Sequence, residues 1–156
     1  MSTRPSGPAW VTVLAALAVT AAVVTPFSAP KAQAAPATSG LDPVLATAYR
    51  QAAATAHAQG VALDITSGRR SVAEQRRLWR SAIATYGSPQ AARRWVLPPE
   101  QSTHVTGHAV DVGPRAGARW LQTHGYRWGL CRTFVNEWWH FEVVTCLLYT
   151  SPSPRD

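Results

Sequence analysis

The chain has 156 residues, 46% of them hydrophobic and 15% charged, which suffices for one modest core and leaves no room for two. Its formal net charge of +7 is carried almost wholly by arginine, Lys31 being the only lysine. Such a surface attracts polyanions, either nucleic acid or an anionic cell wall, and does not choose between them.

The N-terminus narrows that choice. Arg4 precedes an apolar run from Trp10 to Val24, followed by Pro26, Pro30 and the small-residue triplet Ala32-Gln33-Ala34. A positive start, a short apolar middle and an A-x-A end make the layout of a secretory signal peptide, and the run falls short of the roughly twenty residues that a membrane span needs. Residues 1–34 are expected to be a signal peptide and 35–40 a linker. The mature protein is then secreted or cell-wall associated, with no nucleic-acid partner and membrane contact only through an uncleaved signal segment.

Asp42-Pro43 reads as an N-cap with proline at the first helical position, opening an alanine-rich helix that runs to Gln59 and stops at Gly60. "VALDITSG" alternates Val61, Leu63 and Ile65 on one face, as a half-buried strand does. Ser71 and Glu74 form a capping box for a helix whose Leu78, Trp79, Ala82, Ile83 and Tyr86 recur at helical spacing until Gly87. A short helical turn is expected at Ser88-Pro89, and Leu97-Pro98-Pro99 enforces an extended connection. "HAVDVG" is expected to be a brief strand, "RAGARWLQTHG" a helix closed by Gly125, and "EWWHFEVV" a final strand. After Val144 periodicity ends, and Leu147 to Asp156 are expected to be a non-native or disordered tail. Helices and strands in this order imply an α+β fold with a small, mainly antiparallel sheet and flanking helices.

"STHVTGHAVD" (residues 102–111) places two histidines and an aspartate among small, hydroxyl and apolar side chains. A zinc site with catalytic use takes three protein ligands and keeps a fourth position open. His104 and Asp111 can supply two if the chain bends near Thr106-Gly107, because residues of opposite parity face apart on an unbroken strand. His140, in "NEWWHFE", is a third candidate. On a strand beginning at Trp138, Trp139, Phe141 and Val143 would face the core while Trp138, His140 and Glu142 face away. Glu137 stands three positions before His140, within reach of a metal-held water. Taken singly, Glu137 and Glu142 read as surface carboxylates and His108 as an exposed histidine. His57 and His124 sit near helix ends, where the dipole suits them. Cys131 and Cys146 are candidates for a disulfide in an exported protein.

"SGRRS" followed by Gln75, "LPPEQSTHVTGHAVDVG" and "GLCRTFVNEWWHFE" together resemble the zinc D-alanyl-D-alanine carboxypeptidases of the VanY-like group, which share a fold with the Hedgehog signalling domain. The likeness runs in order from Leu41 to Val144, so residues 41–146 are expected to be the zinc peptidase domain. It implies Zn²⁺ held by His104, Asp111 and His140, Glu137 as the catalytic base, and Arg70 holding the substrate carboxylate. Gln75 and Ser102 match positions near the substrate. Arg69 departs from the aromatic that many relatives carry there.

The resemblance implies a monomeric, secreted enzyme that removes the terminal D-alanine from peptidoglycan stem peptides. A wall endopeptidase, an L,D-carboxypeptidase and a non-catalytic zinc-stabilised binding module are the alternatives on the same fold. Arginine's planar fork suits a free carboxylate, which makes Arg70 the expected clamp and Arg69 its competitor.

Overall fold

The computed structural model of the protein describes residues 37–144. The expected signal peptide over 1–34, residues 35–36 of the linker, Cys146 and the tail over 147–156 lie outside them. The rest of the linker, 37–40, is a turn closed by the Leu41 amide on the Thr38 carbonyl. Among the described residues no helix is long and apolar enough to cross a membrane.

Helix α1 spans Pro43–Ala58, with the Asp42 carboxylate accepting from the Val44 and Leu45 amides, as its cap signature predicts. It turns Leu45, Tyr49, Ala52 and Ala56 inward; the alanines let the sheet approach closely. Strand β1 is shorter than the alternation predicts and covers only Asp64–Ser67. Leu63 is buried, but its carbonyl accepts from the Tyr49 hydroxyl and its amide donates to His57 Nε2, so side chains of α1 take the groups a ladder would use.

Helix α2, Val72–Tyr86, is capped by Ser71 Oγ on the Glu74 amide and closed by Gly87 in the left-handed region. A short helix α3 (Pro89–Ala92) and a 3-10 turn (Pro99–Gln101) lead to α4, Thr103–Thr106. Gly107, at φ +80°, reverses the chain into strand β2, Ala109–Gly113. Helix α5, Arg115–His124, closes at its C-cap Gly125 as expected, and a 3-10 turn over Gly125–Trp128 follows it. Strand β3, Leu130–Arg132, was not expected; three residues are too few for an alternation to register. Strand β4 is confined to His140–Val143.

The four strands are antiparallel in the order β1-β2-β4-β3, which bears out the α+β expectation. Strand β2 is buried along its whole length. Val110, Val112 and Phe141 point into the core with Leu45, Leu121 and Leu130, so Asp111 and His140 point to the opposite face.

The expected strand parity fails for the tryptophans. Trp138 and Trp139 lie in a turn before β4, where alternation does not apply. Trp138 packs against the core and Trp139 faces the polar pocket, the reverse of what a strand from Trp138 requires.

Gly107 is the hinge on which the polar face depends. A Cβ there would lie 2.7 Å from the Gly40 carbonyl oxygen, in a left-handed backbone that costs other residues about 1–2 kcal/mol. Gly107→Ala is expected to lower the unfolding free energy in urea by at least that amount; unchanged stability would show that the bend tolerates a side chain.

Candidate metal centre

Cross-strand register builds half of the centre. Asp111 on β2 and His140 on β4 are direct partners, and the side chains of such a pair emerge side by side. The turn at Gly107 delivers His104 from α4 to the same point. His104 Nε2 lies 3.2 Å from Asp111 Oδ1, His140 Nδ1 lies 3.1 Å from that oxygen, and the two nitrogens are 3.3 Å apart. All three residues are buried.

Each ring has its outward nitrogen occupied. His104 Nδ1 is 2.8 Å from the Gly68 carbonyl oxygen, and His140 Nε2 is 2.9 Å from Glu142 Oε1. Both partners accept, so both outward nitrogens carry hydrogen, and a neutral ring then turns a lone pair inward. Three lone-pair donors in a tight triangle need positive charge between them. Tetrahedral zinc with bonds of about 2.0–2.1 Å has ligand–ligand edges of about 3.3–3.4 Å, close to the observed triangle.

The local charge balance points the same way. Burial opposes charge on Asp111, but hydrogen bonds to His104 and His140 prevail and hold its carboxyl well below the usual carboxylate range. Burial likewise opposes protonated His140, yet its bonds to Asp111 and Glu142 raise its pKa above the ordinary imidazole value. Asp111, Glu137 and Glu142 surround His140, and the Arg70 guanidinium pairs with Asp111. Carboxylates outnumber guanidinium groups around the triangle, an environment that suits a divalent cation.

Glu137 is buried beside the triangle, its Oε2 3.7 Å from His140 Nδ1, near the donors without being one of them. Arg70 is held at three points: Nε to Ser67 Oγ at 2.9 Å, Nη1 to Gln75 Oε1 at 3.3 Å, and Nη2 to Asp111 Oδ2 at 2.6 Å. Its guanidinium has five N–H donors, so two are left for a ligand in the pocket it lines. Asp111 thereby keeps Oδ1 for the centre while Oδ2 is tied to Arg70. Arg69 is exposed and lies against Gly40, away from the pocket.

Gln75 and Ser102 also line this pocket. The buried Gln75 amide bridges two walls, accepting from Arg70 and donating to the Leu97 carbonyl at 2.8 Å. Ser102 is buried at the N-terminus of α4, and its hydroxyl does not cap the helix. Val96, Leu97, Trp95 and Trp139 complete the rim around a free volume of about 60 Å³. His108 is exposed, 3.7 Å from Asp42, while His57 and His124 bond to neighbouring backbone. Cys131 is engaged in a disulfide.

Two residues of the centre were not singled out by sequence. Glu142 is no surface carboxylate, since its Oε1 meets both His140 and the Thr103 hydroxyl, at 2.9 and 2.8 Å. The available signal was the period of two that puts Glu142 on the His140 face; nothing in the sequence joins Thr103 to it.

Comparison with known proteins fits this geometry. Two solved structures share the fold at a TM-score of 0.61, each aligned over 67% of this chain and 72% of the other. One is a mutant of the vancomycin resistance D,D-pentapeptidase VanY from a VanB-type cassette in complex with Zn(II), 26% identical. The other is VanYB in complex with D-alanine-D-alanine, 27% identical. The LdcB LD-carboxypeptidase, 23% identical over 67% of this chain and 60% of its own, shares the fold at 0.59. Among curated protein sequences none matches. The family profile of VanY, D-alanyl-D-alanine carboxypeptidase, matches residues 38–145, from the linker turn through β4, and the chain therefore belongs to that family.

Proposed function

We infer that the protein is a secreted, zinc-dependent carboxypeptidase that removes the terminal D-alanine from peptidoglycan stem peptides, acting at the cell wall as a monomer. The carrying observation is the buried triangle of His104 Nε2, Asp111 Oδ1 and His140 Nδ1, with Glu137 beside it and Arg70 bonded to Asp111 in the wall of the same small pocket. The complexes of its relatives with Zn(II) and with D-alanine-D-alanine support the metal and the substrate class.

His104, Asp111 and His140 would hold the ion. Bound zinc supplies Lewis acidity toward a carbonyl oxygen and lowers the pKa of a water to about 7. Glu137 takes the proton from the attacking water and returns it to the leaving amine, a task for a carboxylate near the ligands but outside their triangle. Arg70 directs its two remaining N–H groups at the terminal carboxylate. Gln75 keeps the guanidinium in place from behind and fixes Leu97 in the opposite wall. Ser102 contributes a hydroxyl to the pocket lining. Trp95, Leu97 and Trp139 limit water at the scissile bond, and the small free volume suits a methyl side chain rather than a bulky one.

Incubating the purified protein with a synthetic stem pentapeptide is expected to release single D-alanine, and a chelator to stop the release. Internal cleavage would instead indicate an endopeptidase, and no cleavage by zinc-loaded protein a binding module. Glu137→Gln should reduce turnover by a factor of about 10²–10⁴ and leave metal content unchanged, whereas His140→Ala should lose both. Substantial activity in the glutamine variant would remove Glu137 from the role of base.

Arg70→Ala should depress activity mainly on peptides with a free C-terminal carboxylate, measured as kcat/KM against the amidated peptide. Equal losses on the two substrates would eliminate the clamp. Because Arg70 also binds Asp111, metal content must be measured on the same sample.

A further inference from the structure

We propose that Glu142, together with Thr103, is the positioning device of the centre: it selects the tautomer of His140, sets the spacing of the two histidines, and so governs metal affinity. This rests on the zinc-site reading above. The Glu142 carboxylate meets the outward Nε2 of His140 and the Thr103 hydroxyl and is not itself in the pocket lining, so its action on the centre passes through those two residues.

The chemistry of imidazole requires such a partner. His140 is 1% exposed, and its ring has two nitrogens but, when neutral, one hydrogen. If that hydrogen sat on Nδ1, the proton would occupy the metal-facing position and the Nε2 lone pair would face Glu142 Oε1 at 2.9 Å. Two acceptors at that distance repel. The carboxylate therefore favours hydrogen on Nε2 and leaves Nδ1 free to ligate, as outer partners of metal-bound histidines commonly do.

Thr103 makes this a clasp between two elements. Its hydroxyl donates to the same Oε1 at 2.8 Å. Thr103 immediately precedes His104, and Glu142 lies two residues beyond His140 on the same face of β4. One oxygen thus joins the ligand-bearing turn of α4 to the ligand-bearing strand. Ala109, the partner of Glu142 on β2, presents only a methyl group. On the other side, the Gly68 carbonyl holds His104 Nδ1, and the Arg70 amide donates to the His104 carbonyl at 3.0 Å, so His104 is fixed from two directions.

The test compares the full chain with Glu142→Ala, Glu142→Gln, Thr103→Val and Thr103→Ser, each stripped of metal. Zinc affinity is read by competition with a chromophoric chelator, and ligand geometry from the visible spectrum of the cobalt(II)-substituted protein. Glu142→Ala is expected to bind zinc about 10–100-fold more weakly with an altered cobalt spectrum, and Glu142→Gln to fall between it and the parent. Thr103→Val should lose roughly fivefold, and Thr103→Ser, which keeps the hydroxyl, should restore affinity. If Glu142→Ala does not fold, the valine and serine pair still decides. A parent chain that binds one ion, with valine and alanine variants of equal affinity and unchanged spectra, would overturn the clasp and leave the zinc reading intact. A parent chain that binds no ion would overturn both.

Discussion

The pairing of Asp111 with His140 across β2 and β4 is the constraint on which the centre depends. A backbone ladder fixes the separation of two side chains far more tightly than a loop can, and a slip of one strand by one residue would turn its ligand to the core face and separate the pair. Val110, Val112 and Phe141 prevent that shift, because their burial is compatible with only one register. Apolar packing on one face of the sheet thus holds polar geometry on the other. His104 needs a separate device, since it shares no strand with the other two. The left-handed turn at Gly107 brings it in, and the backbone bonds of the 68–70 segment keep it there.

Such a site is costly to fold without its cation. Buried carboxylates and inward-facing lone pairs carry a desolvation penalty that hydrogen bonds recover only in part. Arg70 offsets one charge through its 2.6 Å contact with Asp111, and the rest favours a divalent ion. The same arginine links the centre to the pocket, and Gln75 and Ser67 stiffen it. The guanidinium is therefore held at three points, and in the proposed role as a carboxylate clamp this order would lower the entropic cost of recognition.

Much of this was legible in the chain itself. The caps at Asp42, Ser71 and Gly87 marked helix ends because each satisfies backbone groups locally, and local chemistry is what a sequence displays. The three metal donors and Glu137 are legible because they are residue types that zinc chemistry uses and because the motifs around them resemble the VanY-like group. Glu142 did not stand out, since a lone carboxylate after a histidine is common and its second partner, Thr103, is distant in sequence. Trp138 and Trp139 depart from the alternation because it holds only where the backbone is extended, and the chain is still turning there. Strand β1 was overextended because Leu63 is apolar and buried for a reason other than ladder pairing. The outer segments, 1–34 and 147–156, carry expectations from composition alone.

X-ray absorption at the zinc edge on the metal-loaded protein probes the convergence of His104, Asp111 and His140 most directly. One zinc per chain is expected, with four nitrogen or oxygen neighbours at about 2.0–2.1 Å and outer-shell scattering from two imidazoles. Sulfur in the coordination shell, a six-coordinate oxygen environment without imidazole, or failure to retain any zinc would contradict a centre built from these three side chains.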